Sequence, residues 1–173
     1  MNALRVLIVA TVACVALLSP AWAAPVALAP VAVSSEFQEA LDEDIGAREG
    51  DVLRRSVQRA LENALARRGA TIAAEAPVSV EATIVRAAPN RPTLQQIAHR
   101  PGLDMGRSIS TGGAELRGVI RASDGRVLAE VSHRRLDRNL SELPPAVATW
   151  TEANRAIRRF AEKVADAYVA QTQ

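Results

Sequence analysis

Metal or acid–base chemistry in this chain would have to come from two histidines, one cysteine and nineteen carboxylates. A metal site needs several such ligands at close spacing, and His99 and His133 fall in different segments with no His-x-x-x-His pairing. Ser110, His99 and Asp104 supply the residue types of a hydrolytic triad, but no Gly-x-Ser-x-Gly elbow presents the serine. Ser110-Thr111-Gly112-Gly113-Ala114 has two glycines without the Gly-Lys-Ser or Gly-x-Gly-x-x-Gly pattern that cradles phosphate, and reads as a sheet bulge or a close backbone approach. No metal and no cofactor is expected. Arginine pairs at Arg54-Arg55, Arg67-Arg68, Arg134-Arg135 and Arg158-Arg159 are interleaved with acids. Beyond Trp22 only Phe37, Trp150, Phe160 and Tyr168 remain for base stacking, and a net charge of +2 is small, so no nucleic-acid partner is expected.

What remains is a long connection over residues 88–107, rich in turn formers and hydrogen-bonding side chains. A loop of that length in a compact domain is commonly functional. Its candidate contacts with a partner or ligand are Arg91, Gln95, Gln96, His99 and Asp104. The competing reading is a structural flap over the open face of a sheet.

The elements that must carry this loop are legible from periodicity. Residues 25–33 mix valine with two prolines, which suits an edge strand. An acidic stretch with Gly46 and Gly50 then reads as a solvated connection with one short helical turn capped at Ser35. From about Asp51 to Arg68, Leu53, Val57, Ala60, Leu61, Ala64 and Leu65 recur at three and four, marking an amphipathic helix closed by Gly69. Val78, Val80, Ala82 and Ile84 alternate with Ser79, Glu81 and Thr83 as a half-buried strand. A second strand is expected over 108–122, a type I′ turn at Asp124-Gly125, and a return strand ending near Leu136. After a link containing Pro144-Pro145, Thr149-Trp150-Thr151-Glu152 reads as a capping box. It opens a helix whose stripe is Ala153, Ile157, Phe160, Ala161, Val164 and Tyr168. The fold class is α+β: a mostly antiparallel sheet with two helices packed on one face, in the order β-α-β-long loop-β-β-α.

Residues 1–23 carry one positive charge at Arg5, an apolar run from Val6 to Leu18, Pro20 and an Ala21-Trp22-Ala23 cleavage site. These are the parts of a secretory signal peptide, and they leave residues 24–173 as one domain. Pro20 stops the run short of a membrane span, so no stable membrane insertion is expected after cleavage. Thr11-Val12-Ala13-Cys14 is similar to a bacterial lipoprotein box, which keeps a lipid anchor through Cys14 as the alternative. With cleavage before Ala24, the mature chain has no cysteine and no thiol chemistry.

Three segments together resemble the small exported proteins and lipoproteins of proteobacteria grouped as domains of unknown function. They are the strand Arg107-Ser108-Ile109-Ser110-Thr111-Gly112-Gly113-Ala114-Glu115-Leu116, the hairpin Asp124-Gly125-Arg126-Val127-Leu128, and Thr149-Trp150-Thr151-Glu152-Ala153 opening a helix with Arg159-Phe160-Ala161. The likeness covers roughly residues 80–170. It implies an envelope protein, brings no catalytic residue, and carries the expectation of a lipid-anchoring cysteine just before the domain, for which Cys14 is poorly placed. The expected function is therefore a non-enzymatic binding or accessory protein of the periplasm, with an envelope protein as partner. A small hydrolase using the 88–107 loop as a lid is the alternative from another class.

Overall fold

A computed structural model describes residues 25–136, 139 and 148–172; the expected leader, with Cys14, and the Pro144-Pro145 link lie outside the described residues. The alternation at 78–84 runs on into β3 (Val78–Ala88), which buries Val78, Val80, Ala82 and Ile84. Along one edge of β3 run β1 (Val26–Leu28) and β2 (Ala32–Val33), both parallel to it and separated at Pro30, where a proline can be spared the ladder. On its other side β4 (Gly113–Ala122) and β5 (Val127–Leu136) follow as antiparallel neighbours, so the sheet is mixed but mostly antiparallel. β5 is the far edge.

Two long helices share one core with the inward side chains of β3 and β4: α2 (Ala47–Arg67) and α4 (Thr151–Thr172). The expected stripes are the buried ones, with Leu53, Val57, Leu61, Ala64 and Leu65 on α2 and the whole Ala153-to-Tyr168 series on α4. Gly118, which interrupts the pattern of β4, makes room for a ring: a Cβ there would lie 2.9 Å from Phe160 Cζ. Arg67 and Arg68 on α2 meet Glu162 and Asp166 on α4, and these arginines hold the Glu162 carboxyl below its ordinary range.

Three local expectations are corrected. The acidic stretch is helical nearly throughout, as α1 (Ser35–Ala40) capped by Ser34, then a π-helical turn Leu41–Ile45, then α2 starting at Ala47. Phe37, Leu41 and Ile45, four apart and buried, drive it; Gly46 at φ +109° makes the break, while Gly50 stays inside α2 because Leu41 packs where its Cβ would be. The hairpin is not type I′, since among the described residues only glycines have positive φ. Gly125 N–H donates to Ala122 O and Gly125 alone turns left-handed, the geometry of a type I turn followed by a left-handed glycine. Finally, β4 begins five residues later than expected, at Gly113, and the segment before it belongs to the loop.

Candidate functional site

The connection from β3 to β4 is built around Asn90, which is 0% exposed. Its Nδ2 donates to Ser110 O at 3.1 Å and Thr111 O at 3.0 Å, while Oδ1 accepts from Glu152 N–H at 2.8 Å. Its backbone N–H donates to Thr149 O at 2.7 Å, and its carbonyl accepts from Ser110 N–H at 2.9 Å. One side chain thus closes the loop at its base and caps the start of α4. The expected capping box gives way for that reason: Asn90, not a residue of the helix's own sequence, takes the Glu152 N–H. The Glu152 carboxylate, also 0% exposed, turns sideways to Arg135 Nε at 3.2 Å and to Arg155. Gly112, at φ +63°, has no room for a Cβ, because one would lie 2.4 Å from Asn90 Nδ2.

Beyond Asn90, Thr93 and Gln96 form a complete capping box at the start of a short helix, α3 (Leu94–His99). α3 docks on the π-helical turn. Gln96 is buried and donates to Asp44 Oδ2 at 2.7 Å, Gln95 donates to Asp42 O at 3.1 Å, and Arg100 pairs with Asp44 at 2.7 Å. The tip is braced again, since Asp104 Oδ1 accepts from Gly106 N–H and Arg107 N–H at 2.7 and 2.8 Å, and an Arg91 guanidinium N–H donates to Gly106 O.

The five sequence candidates therefore separate. Gln95 Nε2, both amide atoms of Gln96 and Asp104 Oδ1 are hydrogen-bonded within the loop and its seat, Arg91 ties the tip to the base, and His99 stands exposed at the end of α3. Ser110 donates its hydroxyl to Pro89 O, and Asp104 is committed to its own turn, so the triad residue types are not gathered into a charge relay. Among the described residues no group of three histidine, cysteine or carboxylate side chains could hold a metal ion, and no helix is long and apolar enough to cross a membrane.

Two clefts flank the loop and share Pro89 and Gln96 as a common wall. The larger, about 340 Å³, lies between Phe37, Ile45 and Asp44 on one side and Arg86 and Ala87 on the other; the smaller, about 180 Å³, is bounded by Arg91, Arg100, Leu103 and Ile109. Sequence reasoning missed the apolar side of this surface. Leu94, Met105 and Ile109 are 66, 48 and 45% exposed, and they are three of the five large apolar side chains exposed among the described residues. The four aromatics Phe37, Trp150, Phe160 and Tyr168 are all buried.

A second cluster lies on β5. His133 faces α4, and burial first, then the charges of Lys163, Arg159 and Arg135, holds its imidazole below its ordinary pKa. Its Nε2 is buried without a hydrogen-bond partner.

A family model described as "Protein of unknown function (DUF3313)" matches residues 19–164. Seven solved chains match in structure. One is a PelC dodecamer from Paraburkholderia phytofirmans, 13% identical over 86% of this chain and 87% of that one, with a TM-score of 0.44. Another is a Xanthomonas campestris protein assigned to family DUF330, 14% identical over 88% of each chain, with a TM-score of 0.43. No curated protein matches.

Proposed function

The chain belongs to the DUF3313 family of proteins of unknown function, and from that premise we propose that it is an exported protein of the cell envelope that acts by binding a partner through the face formed by residues 88–112. The observation that carries this reading is the exposure of Leu94, Met105 and Ile109 on a loop fastened at base, middle and tip. Apolar side chains held out on a rigid scaffold lose little entropy on docking and gain burial when a partner covers them. The expected contacts are these three with His99 and the Arg91 side of the smaller cleft. Gln96, though a sequence candidate and a wall of both clefts, has its amide committed to Thr93 N–H and Asp44. Export rests on the leader at residues 1–23, with a periplasmic chain starting at Ala24 and a lipid anchor on Cys14 as the competing outcome.

Affinity capture from intact envelopes, using the wild type and a Leu94→Ser, Met105→Ser, Ile109→Ser variant, tests the binding face. The variant should fold as the wild type does, since exposed replacements usually change stability by less than about 0.5 kcal/mol each. It should lose the partners that the wild type retains. A folded variant that captures the same partners places the surface elsewhere. The mass of the exported chain checks the compartment.

A further inference from the structure

β5 is the outer strand of the described sheet, and the hydrogen-bond phase identifies its outward-pointing backbone groups. Ser123 N–H donates to Pro77 O where β3 meets β4. Bonded and non-bonded pairs alternate along an antiparallel ladder, so Arg121, Val119 and Arg117 bond to Ser79, Glu81 and Thr83. Leu116, Gly118 and Ile120 then turn their backbone groups to His133, Val131 and Ala129. The N–H and C=O of Glu130, Ser132 and Arg134 are left pointing away from the sheet. Consistent with this, Lys163 Nζ donates to Ser132 O at 3.4 Å from the helix side. Among the described residues no strand pairs with this edge.

The helix beside the edge sorts its charges. Glu162 and Asp166 of α4 face Arg67 and Arg68 of α2, whereas Arg155, Arg159 and Lys163 repeat every four residues along another stripe. Arg155 shares the buried Glu152 with Arg135 of β5, but Arg159 and Lys163 have no carboxylate partner among the described residues. Both lie close enough to His133 for their charges to act on it, which puts this unneutralised pair over β5. An edge whose outward backbone groups are unpaired among the described residues, apart from the long bond of Lys163 to Ser132 O, and which has a cationic row on one side, matches the requirements for strand addition by an anionic segment: main-chain bonds give affinity, and alternate side chains give selectivity.

We propose that β5 accepts an extended acidic peptide segment of a partner protein as an added strand, its backbone pairing with Glu130, Ser132 and Arg134 and its helix-side carboxylates meeting Arg159 and Lys163. A second copy of this chain fits less well, because pairing β5 with β5 would bring two such cationic rows together. The surface lies apart from the 88–112 face and stands independently of it.

The test is fluorescence anisotropy at low ionic strength with the mature chain and two short blocked peptides, one alternating threonine with glutamate and one alternating threonine with lysine. The glutamate peptide should bind and the lysine peptide should not. Ser132→Pro removes an outward N–H without touching the β4 ladder, and should weaken glutamate-peptide binding roughly tenfold or more, while Ser132→Ala should leave it nearly unchanged. The double variant Arg159→Glu, Lys163→Glu should lose the glutamate peptide and gain the lysine peptide, which keeps the test decisive if the proline variant fails to fold. Equal binding of both peptides, undiminished binding by a folded Ser132→Pro variant, or a wild-type dimer that Ser132→Pro dissolves would each overturn the proposal, the last in favour of a second copy.

Discussion

β4 is entered through residues 89–112 and left through residues 123–126, and the two connections are finished in opposite ways. The exit is a tight turn held by Gly125 N–H to Ala122 O and Ala122 N–H to Arg126 O, with its residues exposed. The entrance buries Asn90, Thr93 and Gln96, and each has hydrogen-bond partners. On the exit side, the strand that the turn feeds carries His133 Nε2, the one buried side-chain nitrogen or oxygen without a partner among the described residues. The length of a connection is thus a poor guide to its slackness. Here the long one is an ordered platform, and the unmet polar demand lies in the plain hairpin.

The strongest way to break this comparison is Asn90→Ala. It orphans the buried N–H of Glu152 and leaves the more exposed carbonyls of Ser110 and Thr111 to water, and should cost about 2–3 kcal/mol in urea unfolding, since an orphaned buried group costs roughly 1–3 kcal/mol. A loss under about 1 kcal/mol would show that the loop base is not the clasp described. Gly125→Val should cost less, about 1–2 kcal/mol. Nothing surrounds the glycine, so only the positive φ opposes the new side chain; an unchanged midpoint would mean the turn relaxes without resistance.

The smallest effect expected is one of pH, and it sharpens the comparison on the hairpin side. Because the folded state lowers the pKa of His133, its contribution is whole above the ordinary value near 6.5 and is lost as pH falls below it, when the unfolded chain takes up the proton more readily than the folded one. Arg159 and Lys163 from α4 and Arg135 from β5 are the charges that face it. Unfolding midpoints compared between pH 7.5 and 5.5 should fall less for His133→Gln than for the wild type, and parallel curves would remove the histidine from the account.

Periodicity made the two long helices and β3 legible, because buried stripes such as Leu53-Val57-Leu61 and Val80-Ala82-Ile84 follow the geometry of the elements directly. The Asp124-Gly125 turn was legible in place but not in type, since both a type I′ turn and a type I turn with a left-handed residue put glycine there. The helical Phe37-Leu41-Ile45 face was hidden by the acids between its members and by Gly46 and Gly50 just beyond them. The candidate site was half legible for a different reason. Gln95, Gln96 and Asp104 stand out by hydrogen-bonding capacity, and that same capacity serves the loop's internal fastenings. Leu94, Met105 and Ile109 could not be told from core residues, because a sequence shows that a side chain is apolar and not that it has been left outside.

Trp150, buried beside the loop base, donates its indole N–H to Glu49 Oε2 at 2.6 Å, joining the start of α4 to the start of α2. The chain has two tryptophans, and the other, Trp22, falls within the leader. A chain beginning at Ala24 therefore carries a single tryptophan, which can be excited selectively over Tyr168 and is sited next to the Asn90 clasp. Its emission colour and its access to quenchers form a label-free optical readout of whether that clasp is shut.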